Sequence, residues 1–212
     1  MAVTGVILLG FVVGHLAGNL LIFGGPDTFN AYGEKLRHMA PVVWAARVIL
    51  LIALVIHIKV AALLTFENAR ARPQDYVKKK FIRASETSRT MFLTGLVVFA
   101  FILYHLMHFT FKSVHPEFSG AHDALGRHDI YSMVTASFSV PAISATYISA
   151  LMMLAFHLNH GVTVFLQTLG LNNVQFDPKL RFVGTALVWL IFAGYVSIPI
   201  SVLLGHLPVL AR

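Results

Sequence analysis

Five apolar stretches, each long enough to cross a lipid bilayer, constrain the fold of this chain more than any other feature. Of its 212 residues, 57% are hydrophobic and only 12% are charged, far from the composition of an ordinary soluble domain. About 20 apolar residues cross a hydrocarbon core of about 30 Å. The sequence therefore predicts one all-α integral membrane domain over residues 1–212. Its five transmembrane helices are predicted near residues 2–24, 42–66, 90–112, 138–167 and 183–207, the first four forming a bundle.

Glycine and proline residues mark the predicted helix ends. Gly24, Gly25 and Pro26 are expected to end the first helix, and Pro41 suits the first turn of the second because no partner is needed for its missing N–H. Pro141 and Pro199 fall within the fourth and fifth predicted helices and are expected to kink them. No internal repeat or low-complexity segment stands out in the sequence.

The N-terminal apolar run lacks the charged leader and small-residue cleavage site of a secretory signal. We expect the first helix to be kept in the mature protein, with or without a short polar extension before it.

The net charge of +7 reflects membrane topology rather than nucleic-acid binding. The basic residues lie in short connections between apolar runs, where the positive-inside rule and anionic lipid account for them, so no nucleic-acid partner is expected. The connection between helices two and three is expected in the cytoplasm, with the N-terminus inside and the C-terminus outside a bacterial-type cytoplasmic (inner) membrane. Its basic residues are Arg70, Arg72, Lys78, Lys79, Lys80, Arg83 and Arg89.

Four histidines lie one apiece within the first four predicted helices: His15, His57, His105 and His157. Ionisable groups are costly in hydrocarbon and usually serve a function there. At about 1.5 Å per residue, His57 and His157 lie about 14 Å from the cytoplasmic ends of their helices, and His15 and His105 lie about 10–14 Å from the outer ends. The histidines thus form two layers of two.

Paired imidazoles in a helix bundle are typical of haem ligation, since iron takes one axial ligand on each face of the ring. The sequence predicts an inner haem b held by His57 and His157 and an outer haem b held by His15 and His105, the haem iron being the metal. Cysteine is absent, which excludes disulfides, iron–sulfur ligation and thiolate-bound haem within this chain.

Two further histidines leave the ligand choice open. His108 and His160 each follow a predicted ligand by three residues, on the same helix face. Either one could replace its neighbour as ligand, or could instead hydrogen-bond a haem edge, a backbone carbonyl or water. A stripe of small residues, Gly10, Gly14 and Gly18, suits close helix packing or room for a porphyrin face.

Several segments around these residues resemble one family. They are GHLAGNLLIF at 14–23, FNAYGEKLRH at 29–38, IHIKVAALLTFEN at 56–68, YHLMHFTF at 104–111 and FHLNHGVTVFLQTLG at 156–170. The chain resembles, over nearly its whole length, the cytochrome b membrane-anchor subunit of succinate:quinone oxidoreductase (succinate dehydrogenase and fumarate reductase). The type resembled is the B-type, a single chain with five helices and two haems.

The resemblance implies ligands, partners and an activity. His15 and His105 would bind the distal haem, and His57 and His157 the proximal haem, with His160 as an alternative fourth ligand. Electrons would pass from succinate through a flavoprotein subunit and an iron–sulfur subunit to the haems and then to quinone. The chain would hold no catalytic residue for succinate oxidation and would not oxidise succinate alone. A G-x-G-x-x-G fingerprint is also absent.

The resemblance also implies a quinone site near the distal haem, for menaquinone rather than ubiquinone. The candidate is a polar cluster after the first helix, with a solvated loop as the alternative: Asn30, Glu34, Arg37 and His38. Two other functions stay open: the di-haem cytochrome b subunit of another quinone-linked dehydrogenase, and a proton-coupled transporter with a histidine relay.

Overall fold

A computed structural model describes residues 1–71, 91–168 and 177–210. Over these ranges the chain is helical, apart from turns, loops and an isolated bridge between His122 and His128. Five helical segments are long and apolar enough to cross a membrane, which confirms the prediction of five such helices and is compatible with a multi-pass membrane protein. They are Ala2–His38, Ala40–Asn68, Met91–Thr110, Pro141–Val162 and Arg181–Leu203.

The described residues form seven α-helices. They are α1 (Ala2–Leu20), α2 (Gly25–His38), α3 (Ala40–Arg70), α4 (Met91–His105), α5 (Ile130–Phe138), α6 (Pro141–Thr168) and α7 (Asp177–Leu203). A 3₁₀ turn over Leu21–Gly24 joins α1 to α2, and a π-helical turn over Leu106–Thr110 continues α4.

The first helix breaks at the predicted position. The residues that follow form a second helix, α2, and not the solvated loop that was the alternative to a quinone site. Gly25 adopts φ +88°, a conformation that glycine reaches without strain. Pro26 and Asp27 then occupy the first turn of α2, and basic residues occupy its last turn. Both features stabilise α2. The fixed φ of proline suits the first turn, and an acidic residue at the start with basic residues at the end interacts favourably with the helix dipole.

The three prolines have different outcomes. Pro41 is the second residue of α3, as predicted, and Pro199 lies inside α7, as predicted. The prediction for Pro141 is wrong, because this residue begins α6 instead of lying within it. Helix α5 ends at Phe138, and a proline is tolerated at the first helical position, where its missing N–H needs no partner.

The helices pack unequally. Helix α6 packs most extensively on α7 and also on α4, while α1 packs on α3 and α7. The pair α1 and α3 contacts the pair α4 and α6 only lightly, through α1 with α6 and through α3 with α4. Apolar side chains along α3, such as Leu51 and Val55, are exposed, as expected for a helix that faces lipid.

The main buried cluster lies at the end of the bundle that holds α2 and α5, here called the outer end. It is formed by Ile22, Phe29, Tyr131, Phe138, Ile143, Tyr147, Ile198, Val202 and Leu207. The opposite end is called the inner end.

Most of the basic connection, residues 72–90, and most of the 172–181 connection lie outside the described residues. The orientation in the membrane therefore stays a prediction.

Candidate functional site

The structure brings His15 and His105 together. His15 lies on α1 and His105 is the last residue of α4. Their ring centroids are 5.9 Å apart and the ring planes are nearly perpendicular, at 82°. Phe11 stacks on His15 with centroids 5.2 Å apart, and Phe101 lies against His105 at 5.9 Å. Phe109, in the turn that follows α4, lies against His105 at 5.6 Å, so the outer layer is an imidazole pair flanked by phenylalanines on both sides.

The structure also brings His57 and His157 together, from α3 and α6. Their ring centroids are 6.3 Å apart and the planes are 64° apart. The ring that faces His57 is that of His157, and His160 lies one helical turn further along α6. The four histidines therefore meet in the two pairs that the sequence predicts.

The spacing within each pair suits one metal ion between two imidazoles. A nitrogen–metal bond of about 2.0–2.1 Å places each ring centroid about 3.2 Å from the metal, so two opposed rings lie about 6.4 Å apart. In the described ranges no group of three or more histidine, cysteine, aspartate or glutamate residues could hold a metal. Two donors per site suit a metal whose four equatorial positions are filled by a macrocycle, as in haem.

Two threonines show how far apart the two layers lie. Thr4 on α1 contacts His57, and Thr94 on α4 contacts His157. Each threonine precedes the outer histidine of its own helix by eleven residues, from 4 to 15 and from 94 to 105. At about 1.5 Å per residue, the layers are separated by about 16 Å along the helices.

This separation is wider than the predicted depths imply. The prediction assumed that all helices end at the same depth, whereas α3 runs to Arg70 and α6 to Thr168, thirteen and eleven residues beyond the level at which their histidines meet Thr4 and Thr94. The inner pair accordingly lies level with the first turns of α1 and α4.

Three of the four histidines meet a hydroxyl group at Nδ1. Thr4 Oγ1 lies 3.2 Å from His57 Nδ1, and Thr94 Oγ1 lies 3.4 Å from His157 Nδ1. The hydroxyl of Tyr147 lies 3.5 Å from His105 Nδ1. A partner at Nδ1 is the arrangement that assigns Nε2 to a metal.

His108 is held by hydrogen bonds at both ring nitrogens. It is 2% exposed, its Nδ1 lies 2.9 Å from the Tyr147 hydroxyl, and its Nε2 lies 3.1 Å from Ser137 Oγ. It lies in the π-helical turn after α4, a deviation from α-helix that is common near functional sites. Of the two roles open to His108, this arrangement favours a hydrogen-bonding one.

The small-residue stripe on α1 divides into two parts. A Cβ at Gly18 would collide with the ring of Tyr32 on α2, whereas a Cβ at Gly10 or Gly14 would meet no atom within 4 Å. Gly18 therefore serves close packing, whereas α1 borders open space at Gly10 and Gly14.

The four quinone candidates do not form one cluster. Asn30 is 1% exposed and its amide donates to Asp129 Oδ1 at 3.1 Å, while its Oδ1 accepts from the backbone N–H of Tyr131 at 3.0 Å. These bonds tie α2 to the connection between α4 and α5.

The other three candidates lie together on the exposed side of α2. Arg37 donates to both carboxylate oxygens of Glu34, and His38 Nε2 lies 3.1 Å from Glu34 Oε1. Arg37 and His38 are exposed. The separation of Asn30 from this trio leaves Glu34, Arg37 and His38 as the accessible part of the candidate.

A network of charged residues surrounds Asn30. Arg127 donates to Asp123 and Asp27, each at 2.7 Å. Burial raises the pKa of Asp129, but hydrogen bonds from Ser132 and Asn30 outweigh it and hold that pKa below its usual value. A cleft of about 230 Å³ beside Asn30 is lined by this loop and the start of α2, and by none of the four paired histidines.

Comparisons with known protein families, with curated proteins and with solved structures find no match for this chain. The functional interpretation therefore depends on the motifs and on the geometry of the paired histidines.

A short sequence repeat on α1 and α4 corresponds to these threonine–histidine contacts. The repeat is hard to see because the residues around it are apolar in both helices. Thr4-Gly5 and Thr94-Gly95 are each followed, at the same spacing, by a phenylalanine and then by His15-Leu16 or His105-Leu106. The histidine that each threonine contacts lies on the next membrane-spanning helix. Helices α1 and α3 thus repeat the arrangement of α4 and α6, and this spacing is the signal that would have identified the threonines.

Proposed function

We propose that this chain is the cytochrome b membrane-anchor subunit of a succinate:quinone oxidoreductase. It carries electrons through two bis-histidine b haems between an iron–sulfur subunit and membrane quinone, preferably menaquinone. The observation that supports this proposal most strongly is the pairing of four histidines from four helices, His15 with His105 and His57 with His157.

Each residue set has a separate role in this proposal. Haem, when bound, supplies the one-electron chemistry of iron. The four imidazoles would bind the iron, the hydroxyl groups at Nδ1 would orient three of them, and the apolar helices would exclude water. Because the two layers are about 16 Å apart along the helices, the chain offers two successive electron-carrying positions across the membrane.

In this proposal the electrons come from partner subunits, because the chain would not oxidise succinate alone. We propose that a flavoprotein subunit and an iron–sulfur subunit dock at the inner end, next to His57 and His157, and supply the electrons. Quinone would react near the outer pair, where Glu34, Arg37 and His38 form the accessible polar group on α2.

Purification of the complex from membranes tests this proposal. We expect a Soret band and a reduced α-band, two haem b per chain by pyridine haemochrome assay, and a flavoprotein and an iron–sulfur protein among the co-purified subunits identified by mass spectrometry. Two haems with subunits of another dehydrogenase would reassign the partner, and a chain without a Soret band would favour the proton-coupled transporter.

A further inference from the structure

We propose that Thr4 and Thr94 are positioning residues that orient His57 and His157 for binding iron. This inference rests on the proposed function. Each threonine accepts a hydrogen bond from Nδ1–H of one inner histidine and so assigns Nε2 of that histidine to the metal.

The direction of these hydrogen bonds follows from counting protons. A threonine hydroxyl carries one proton and two lone pairs. Thr4 Oγ1 donates to the carbonyl of Met1 at 2.9 Å, and Thr94 Oγ1 donates to the carbonyl of Met91 at 3.1 Å. Each hydroxyl therefore meets its histidine as an acceptor, which requires a proton on Nδ1.

The consequence for the imidazoles is a fixed tautomer. A neutral histidine with its proton on Nδ1 has an unprotonated Nε2, and only an unprotonated nitrogen can bind a metal. A hydrogen bond at the other nitrogen also orients the ring and raises its basicity as a ligand. Thr4 and Thr94 would thus act on the iron through His57 and His157 without touching it.

The glycine after each threonine lies against the same ring. A Cβ at Gly5 would lie 3.8 Å from Cε1 of His57, and a Cβ at Gly95 would lie 3.3 Å from Cε1 of His157. The Cε1 atom lies between the two ring nitrogens. The Thr-Gly pair therefore supplies an acceptor for Nδ1 and a flat surface beside the ring edge.

The repetition of this contact strengthens the inference. The same dipeptide contacts the same atoms of a histidine on α1 with α3 and again on α4 with α6. Thr65 on α3 and Thr146 on α6, by contrast, are exposed and bond to their own helix. Both halves of the chain thus place the same Thr-Gly pair against one histidine of the inner pair.

Potentiometric titration of the intact complex tests the inference, with the variants Thr4→Val, Thr94→Val and the double variant. Valine keeps the shape of threonine but removes the acceptor. The serine variants at both positions restore the hydroxyl, and Thr65→Val is the matched control. The inner component is identified as the one that His57→Ala removes.

The expected result is a higher midpoint potential of the inner component in the double variant, because a less basic ligand stabilises ferric iron less. The shift should be up to about tenfold in the one-electron reduction equilibrium, which corresponds to about 59 mV. The outer component should be unchanged, serine should restore the parent value, and Thr65→Val should match the parent. The low-spin electron paramagnetic resonance g-values of the inner haem should shift with its potential.

Three results would overturn the inference. If the valine variants match Thr65→Val while both haems are present, Thr4 and Thr94 do not orient the ligands, and the proposed function stands. If the inner haem is lost equally from the serine and valine variants, the threonines act through packing and not through the hydroxyl. If the parent complex contains no haem, the proposed function fails and this inference fails with it.

Discussion

The imidazole rings of His57 and His157 lie 6.3 Å apart although the residues are one hundred positions apart and lie on different helices. The same relationship joins His15 to His105, ninety positions apart, at 5.9 Å. In both pairs the second residue belongs to the second half of the chain. The two candidate haem positions are therefore both formed between the halves α1–α3 and α4–α6.

The buried His108 should contribute to stability but not to haem content. His108→Ala would leave the hydroxyl groups of Tyr147 and Ser137 without the imidazole that they now contact. Each lost buried hydrogen bond costs about 0.5–1.5 kcal/mol, and both hydroxyls keep a second contact, Tyr147 with His105 and Ser137 with the carbonyl of Met133, so the melting temperature of the purified protein should fall modestly. Two haems should be retained. Loss of one haem would instead make His108 a ligand, and the exposed His38→Ala is the control for stability.

Asp129 should stabilise the outer end in a pH-dependent way. It caps α5 by accepting from the backbone N–H of Ser132 and also accepts from Asn30. Replacing it with alanine should cost about 2 kcal/mol at neutral pH.

The pH dependence has a definite sign. Since the pKa of Asp129 is lowered in the folded protein, its contribution is present above the ordinary aspartate pKa and is lost as pH falls through the lowered value. Thermal unfolding from neutral to acidic pH should show the parent and Asp129→Ala converging. A difference that stays constant would contradict this assignment, and Glu67→Ala, on the exposed end of α3, is the control.

Two glycines on α1 should respond differently to alanine. At Gly18 a Cβ would collide with Tyr32, and at Gly10 it would meet open space. Gly18→Ala should therefore destabilise the protein by about 1–3 kcal/mol, the usual cost of overpacking. Gly10→Ala should be neutral or slightly stabilising, because alanine is the better helix former by about 1 kcal/mol. Equal melting temperatures would contradict the close packing of α1 on α2.

The orientation in the membrane can be tested with a reporter. The basic connection between α3 and α4 holds the largest cluster of positive charge in the chain, so a fusion there should behave as cytoplasmic. A fusion in the connection that contains His115 should behave as external. The reverse result would place His15 and His105, and not His57 and His157, on the cytoplasmic side, where the proposed soluble subunits would dock.

Much of the fold could be predicted because it depends on composition along the chain. The apolar runs located the five membrane-spanning segments, and depth along those runs paired His57 with His157. Helices α2 and α5 could not be found this way. Helix α2 is rich in polar residues, and α5 is short and merges with the apolar run of α6. The prediction for Pro141 was wrong for the same reason, since no charged residue separates these two helices.

The hydroxyl partners of the histidines depend on how each helix is rotated about its axis. The depth of Thr4 in the membrane does not predict which residue it contacts, because helix rotation is set by packing against neighbouring helices. The separation of Asn30 from Glu34 could not be foreseen either, since it depends on the distant residues Asp123 and Asp129.

The central claim is that two haems are each held by one histidine from each half of the chain. Redox titration of purified alanine variants of the four histidines tests it most directly, because an iron loses half of its axial ligation when one imidazole is removed. We expect His15→Ala and His105→Ala to lose one common component, and His57→Ala and His157→Ala to lose the other. If His105→Ala matched His57→Ala the pairs would be wrong, and if His157→Ala kept both haems while His160→Ala lost one, the fourth ligand would be His160.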